Sequence, residues 1–193
     1  MALNDIEIEI QVSMSDTKPL VEFLEKSGES RGEKHQIDEY FTPAHRDFLA
    51  VRPAAEWLRL RDTDGRYSFN YKNWYFDGSG RSHHCDEYET KIEDLKSARK
   101  ILMALNLKSL VVVDKIRKIW TYQDYEVALD RVKGAGDFVE IEYIGQDEFV
   151  DPAKVSEEMI NFLKDFNCGP IKRHYGGYPF LLMFPNEVKW EVQ

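Results

Sequence analysis

Ionic and apolar residues take turns along most of this chain in short segments, a period-two pattern that only β-strands can place on two opposite faces. In the first segment Ile6, Ile8, Ile10 and Val12 fall on one side, and Asp5, Glu7, Glu9 and Gln11 on the other. Leu58 and Leu60 alternate with Arg59 and Arg61, and Tyr67, Phe69 and Tyr71 with Ser68, Asn70 and Lys72. Tyr88, Thr90 and Ile92 oppose Glu87, Glu89 and Lys91, while Ile116, Lys118 and Trp120 oppose Lys115, Arg117 and Ile119. Val127 and Leu129 oppose Glu126 and Asp130, and Val139, Ile141 and Tyr143 oppose Glu140 and Glu142.

Three segments read as helices instead. Asp16 to Lys26 has a cap at Ser15 or Asp16, Pro19 in its first turn and Gly28 beyond its end. Asp94 to Leu105 starts on a capping acid and lines up Leu95, Ala98, Ile101, Leu102 and Leu105. Asp151 caps a third, with Pro152 at its first position and Val155, Met159, Phe162, Leu163 and Phe166 facing inward. Runs of strands without regular crossover helices predict an α+β fold with an antiparallel sheet. The stretches Thr42 to Ala55 and Asp77 to Asp86 read as long loops, and residues 1–193 as a single domain.

An ordinary half-exposed sheet turns its charged face to water. Here the charge is sorted by strand. Acids dominate at Glu7/Glu9, Glu87/Glu89, Asp130 and Glu140/Glu142, and bases at Arg59/Arg61, Lys72 and Lys115/Arg117. A closed barrel of about eight strands would put these faces in its lumen and leave the apolar faces outside under amphipathic helices. Buried acids and bases on this scale need one another and a ligand to neutralise them. Carboxylates suit Mg²⁺, and Arg and Lys suit phosphate oxygens, so the combination points to a metal–polyphosphate complex.

A formal net charge of −9 argues against binding nucleic acid or an anionic membrane through a global basic field. With no apolar run of membrane-spanning length and an acidic start, the chain reads as cytoplasmic. Cys85 and Cys168 lack the spacing of a disulfide framework or a zinc site. His83-His84-Cys85 reads as a solvated loop rather than a metal cluster, and His35, His45 and His174 as surface or loop-packing residues. Trp57, Trp74, Tyr75 and Phe76 could stack on a base, though packing is the commoner fate of such aromatics.

Taken in order, these pieces resemble a known family. They are Glu7-Ile8-Glu9-Ile10-Gln11, Gln36-Ile37-Asp38-Glu39-Tyr40-Phe41, Trp57-Leu58-Arg59-Leu60-Arg61, Tyr71-Lys72, Glu87-Tyr88-Glu89, Lys115-Ile116-Arg117, Leu129-Asp130-Arg131-Val132, and the run from Gly134 to Glu142. Nearly the whole chain is similar to the CYTH superfamily of class IV adenylyl cyclases and thiamine triphosphatases, whose fold is called a triphosphate tunnel. The resemblance implies metal-binding carboxylates at Glu7, Glu9, Asp130, Glu140 and Glu142, with Mg²⁺ or Mn²⁺ as cofactor. It implies substrate contacts from Arg59, Arg61, Lys72, Lys115, Arg117 and, through a looser C-terminal match, Arg173, with Glu87 and Glu89 orienting these bases or a second metal. Glu7, Glu9, Lys72, Lys115 and Arg117 would carry the catalysis. The family's ExExK signature ends here on Gln11, which replaces a cation with an amide.

On this resemblance the expected activity is conversion of ATP to cyclic AMP and pyrophosphate, in which the ribose 3′-oxygen attacks the α-phosphorus. A metal-dependent triphosphatase acting on thiamine triphosphate, tripolyphosphate or a nucleoside triphosphate needs the same acids and bases. A protein that only binds nucleotide or polyphosphate is the third reading. The expected partner is a triphosphate, with a homodimer left open.

Overall fold

The structure is a computed structural model that describes residues 6–146 and 150–193; Asp5, placed on the polar face of the first segment, lies outside them. The strands are β1 (Ile6–Glu7), β2 (Glu9–Ser13), β3 (Glu29–Pro43), β4 (Glu56–Thr63), β5 (Arg66–Phe76), β6 (Ser82–Ile92), β7 (Leu107–Tyr122), β8 (Tyr125–Val132), β9 (Gly136–Tyr143), β10 (Lys172–Arg173) and β11 (Glu191–Val192). The helices are α1 (Lys18–Ser27), α2 (Leu95–Ala104), α3 (Pro152–Lys164) and α4 (Gly177–Met183).

The strands form one antiparallel sheet of eleven, in the order β1-β6-β5-β4-β3-β7-β8-β9-β2-β10-β11. The sheet curls into a half-barrel rather than the expected closed barrel of eight. The physical reason lies in the N-terminal segment, which divides at Ile8. Glu7 pairs with Cys85 on β6, whereas Glu9 pairs with Glu142 on β9. The far side of β2 is then taken by β10, through Arg173 opposite Val12 and Lys172 opposite Ser13, so those β2 positions cannot also join β6.

The apolar faces do point outward. Ile8, Ile10, Val12, Trp120, Val127, Val139 and Ile141 form one core with Leu20 and Leu24 of α1 and Val155, Met159 and Leu163 of α3. Burying each such aliphatic side chain is favourable by about 1.5–3 kcal/mol, which fastens both helices to the back of β2, β7, β8 and β9. On β3 and β4, Phe41 and Leu60 pack with Leu102 of α2. Cover is incomplete: Ile101 and Leu105, expected on the buried stripe of α2, are 59% and 64% exposed, and Tyr88 on β6 is 53% exposed.

Helix starts follow the capping logic twice. The Asp94 carboxylate accepts from the Ser97 backbone N–H, and that of Asp151 from Ala153. For α1 the N-cap position is Thr17, beyond both expected caps, Ser15 and Asp16, with Asp16 accepting from Lys18 N–H at 3.0 Å. The loop expected from Asp77 to Asp86 is shorter, since β6 begins at Ser82 and carries His83, His84 and a fully buried Cys85 into the sheet. α4 was not legible in the alternation. Its Tyr178 and Phe180 pack with Tyr40, Trp57, Val113, Val132 and Phe138, and so fill one end of the half-barrel with apolar contacts. No helix among the described residues is long and apolar enough to cross a membrane.

Candidate functional site

Alternation in β1 to β9 gathers the ionic side chains around one cavity of about 260 Å³. Its lining includes Glu7, Glu9, Arg59, Arg61, Lys72, Glu87, Glu89, Lys115, Arg117, Glu140, Glu142 and Arg173. Of the site residues expected from sequence, Asp130 alone does not line it. Ile8, Leu60 and Ile141 face the outer cores instead.

One wall is cationic, and it is organised by two buried aspartates. Arg61 clamps Asp38 with both forks, Nε to Oδ1 at 2.7 Å and Nη2 to Oδ2 at 2.8 Å, and Arg59 reaches the same carboxylate at 3.5 Å. Arg117 clamps Asp130 in the same manner at 2.7 and 2.5 Å, while Lys115 donates to it at 3.1 Å and Tyr178 at 2.8 Å. Arg117 also donates to Glu140 at 2.6 Å. Burial works to raise Asp38, but Arg61 and Arg59 outweigh it and hold the group far below the usual carboxylate range. Asp130 is lowered in the same sense by Arg117 and Lys115 against the cost of burial. Each aspartate thus serves two bases, which leaves the wall short of negative charge. Burial, and then Arg117, bring Lys115 down to about 8.

The opposite wall is acidic. Lys72 meets Glu7, approaches Glu9 at 3.2 Å and Glu87 at 3.9 Å, and is the cation shared by this group. Glu9 faces Glu142 across β2 and β9, and Glu142 faces Glu126 across β9 and β8. Burial, assisted by Glu9, Glu126 and Glu140, pushes Glu142 up to about 7. Burial also holds Glu7 well above the carboxylate range in spite of Lys72, with Glu9, Glu87 and Glu142 adding to the shift. Glu87 goes the other way: burial would raise it, but Lys72 and Arg59, with a hydrogen bond from Asn70, hold it at about 2.

Three carboxylates around one ammonium, with Glu142 opposite Glu9, supply oxygen donors of the kind that suit a hard cation. Among the described residues no three His, Cys, Asp or Glu side chains stand around one point closely enough to hold an ion as placed. The kind of donor is thus that of a hard-cation site, but the carboxylates as placed are arranged around the Lys72 ammonium and not around an ion.

Asp38 and Tyr178 were not singled out from sequence as site residues. Asp38 was findable, because it lies directly across the β3–β4 ladder from Arg61. Tyr178 was not, since it sits on a seven-residue helix with no alternation to read.

Gln11 lies in the lumen, 8% exposed, with its Nε2 donating to Glu140 at 3.4 Å and its Oε1 buried without a hydrogen-bond partner. Gln11→Lys is expected to tighten tripolyphosphate binding about tenfold, because a charge-assisted hydrogen bond is worth about 1.5–3 kcal/mol. Calorimetry checks it, and weaker binding would mean that the lumen is built around the amide.

A model of the CYTH domain matches residues 5–170. A candidate adenylate cyclase of Methanocaldococcus jannaschii is 38% identical over 163 residues, which covers 84% of this chain and 90% of that protein. Among solved structures, a Pyrococcus horikoshii protein superposes with a TM-score of 0.69 at 22% identity, covering 86% of this chain and 94% of its own. A candidate adenylyl cyclase of Hippeastrum, reported to have a dominant triphosphatase activity, gives a TM-score of 0.67 at 19% identity, covering 96% of this chain and all of its own.

Proposed function

The chain belongs to the CYTH domain family, and on that premise we propose that it is a divalent-cation-dependent triphosphatase. The observation that carries the reading is the pairing of two unbalanced walls in one cavity. Arg59, Arg61, Lys115 and Arg117 share Asp38, Asp130 and Glu140, while Glu7, Glu9 and Glu87 share Lys72, with Arg59 at 3.8 Å from Glu87 as the link between the walls. An extended polyphosphate completes the first wall, and a hard cation completes the second.

In this reading Arg59, Arg61, Lys115 and Arg117 hold the phosphate oxygens. Their geometry is set beforehand by Asp38 and Asp130, so little reorganisation is needed when charge builds on the transferring phosphoryl group. Glu7, Glu9, Glu140 and Glu142 would hold Mg²⁺ or Mn²⁺, which when bound neutralises phosphate charge and orients the attacking oxygen. Asp130, its two oxygens occupied by Arg117, Lys115 and Tyr178, serves better as the anchor of the bases than as a metal ligand.

Hydrolysis is preferred because the lining is dominated by ionic side chains, which suit phosphate better than an organic group. Its aromatic side chains are already engaged. Trp57 packs edge-on against Tyr40 at 5.7 Å, Tyr178 against Phe138 at 5.2 Å, Trp74 lies 5.7 Å from the Lys72 ammonium, and Tyr175 lies 4.6 Å from the Arg173 guanidinium. The Hippeastrum protein offers a precedent for hydrolysis on this fold. Cyclisation of ATP is the second reading, favoured by the name and 38% identity of the Methanocaldococcus relative.

Product chromatography on tripolyphosphate, thiamine triphosphate and ATP, each with Mg²⁺ or Mn²⁺, separates the readings. Tripolyphosphate is expected to give pyrophosphate and orthophosphate. Cyclic AMP and pyrophosphate from ATP, with tripolyphosphate left intact, would establish the cyclase instead. Binding of all three without turnover would leave a polyphosphate-binding protein.

A further inference from the structure

Behind the lumen, between α3, the start of β6 and the C-terminal strands, lies a second cavity of about 660 Å³. Arg173 and Tyr175 line both cavities. Arg173 is 4% exposed, and its guanidinium donates to the backbone carbonyls of Ser82 at 3.1 Å and Glu9 at 3.5 Å. Among the described residues it takes part in no ion pair, so no carboxylate in contact offsets its buried charge, which backbone carbonyls, the Tyr175 ring at 4.6 Å and the more distant Glu9 and Glu191 meet instead. Beside it are two more polar atoms with unused capacity. The Ser156 hydroxyl, on a side chain 1% exposed, has no hydrogen-bond partner, and neither has His83 Nδ1.

A buried hydroxyl or imidazole nitrogen left unpaired costs about 1–3 kcal/mol, and an uncompensated buried cation costs more. All three residues line this one cavity, and each can donate to an acceptor held there. Arg81 and Lys164 add positive charge at the rim, where Glu191 is already taken by Arg81 at 2.9 Å and Glu157 remains as the opposing acid. Several donors lining one cavity favour a small, multiply charged oxyanion, because charge-assisted bonds to it satisfy more than one of them at once.

We propose that this cavity is a second anion site, separate from the lumen, that holds free inorganic phosphate or pyrophosphate. The choice of these two anions rests on the triphosphatase reading, whose products they are; the site itself rests on Arg173, Ser156 and His83.

The test is nuclear magnetic resonance of the full chain, following backbone amide signals during titration with orthophosphate, pyrophosphate and, as the lumen probe, tripolyphosphate. Orthophosphate or pyrophosphate is expected to shift the signals of His83, Ser156 and Lys164 saturably. Ser156→Ala and Lys164→Gln should each weaken that binding by up to about tenfold, leaving the response of lumen residues to tripolyphosphate unchanged. Shifts confined to lumen residues, or shifts near Ser156 that never saturate, would overturn the site. Saturable shifts there in a protein that does not hydrolyse tripolyphosphate would reject the triphosphatase reading and keep the site.

Discussion

Glu142→Gln is expected to abolish turnover and, at the same time, to raise the melting temperature at pH 8. The two effects have one cause. Glu142 stands opposite Glu9 on one neighbouring strand and Glu126 on the other, and like charges directly opposed in a ladder destabilise it. Burial and these neighbours raise its folded pKa from 4.5 to about 7. A carboxyl raised on folding binds its proton more tightly in the native state, so its stabilising contribution is full below about 4.5 and is lost as the pH rises through about 7. Gln keeps the shape without the charge. Wild type and variant should therefore melt together near pH 4 and separate by pH 8, with the variant higher. Removing a carboxylate from a hard-cation site should cut Mg²⁺-dependent activity by about a hundredfold or more. Melting curves at the two pH values, with phosphate release measured alongside, check both halves. A variant that melts lower at pH 8, or keeps its activity, would show that Glu142 is not a strained member of the acidic wall.

That wall was legible in the sequence because period two is rigid. Once Ile8 and Ile141 are committed to an apolar face, Glu7, Glu9, Glu140 and Glu142 must share the other. The helix starts at Asp94 and Asp151 were legible for a similarly local reason, since a side-chain carboxylate satisfies a backbone N–H within the same turn. What failed was non-local. Whether the sheet closes depends on which strand reaches the edge of β2, and two residues, Lys172 and Arg173, settle that from far along the chain. The apolar stripe of α2 gave no means of knowing that only Leu102 would find enough sheet beneath it to be buried. α4 begins at Gly177, where φ is +67°, a backbone choice open to glycine that leaves no periodic trace.

The cationic wall supports the other large prediction: Arg117→Met should lose both stability and triphosphate binding, and adding Asp130→Asn should restore part of the first and none of the second. Arg117 has a side chain 8% exposed, and it satisfies both oxygens of Asp130 and one of Glu140. Removing it leaves Asp130 to Lys115 and Tyr178, and Glu140 to the long contact from Gln11. Breaking a buried pair from one side costs about 3–5 kcal/mol, a large share of the 5–15 kcal/mol that typically holds a domain folded. In the double variant Asp130 no longer carries a charge, and that share of the cost should be recovered as a positive coupling between the two sites, while Glu140, without Arg117, and Lys115, without its Asp130 partner, keep the rest. Phosphate affinity should not follow. Arg117 presents its guanidinium to the lumen, whereas Asp130 lies behind it, so neutralising the anchor cannot replace the lost base. Urea unfolding and tripolyphosphate calorimetry on wild type, both single variants and the double one measure the two quantities separately. If the double variant binds tripolyphosphate as wild type does, Arg117 is a structural partner of Asp130 and the phosphate wall must be sought in Arg59, Arg61 and Lys115 alone.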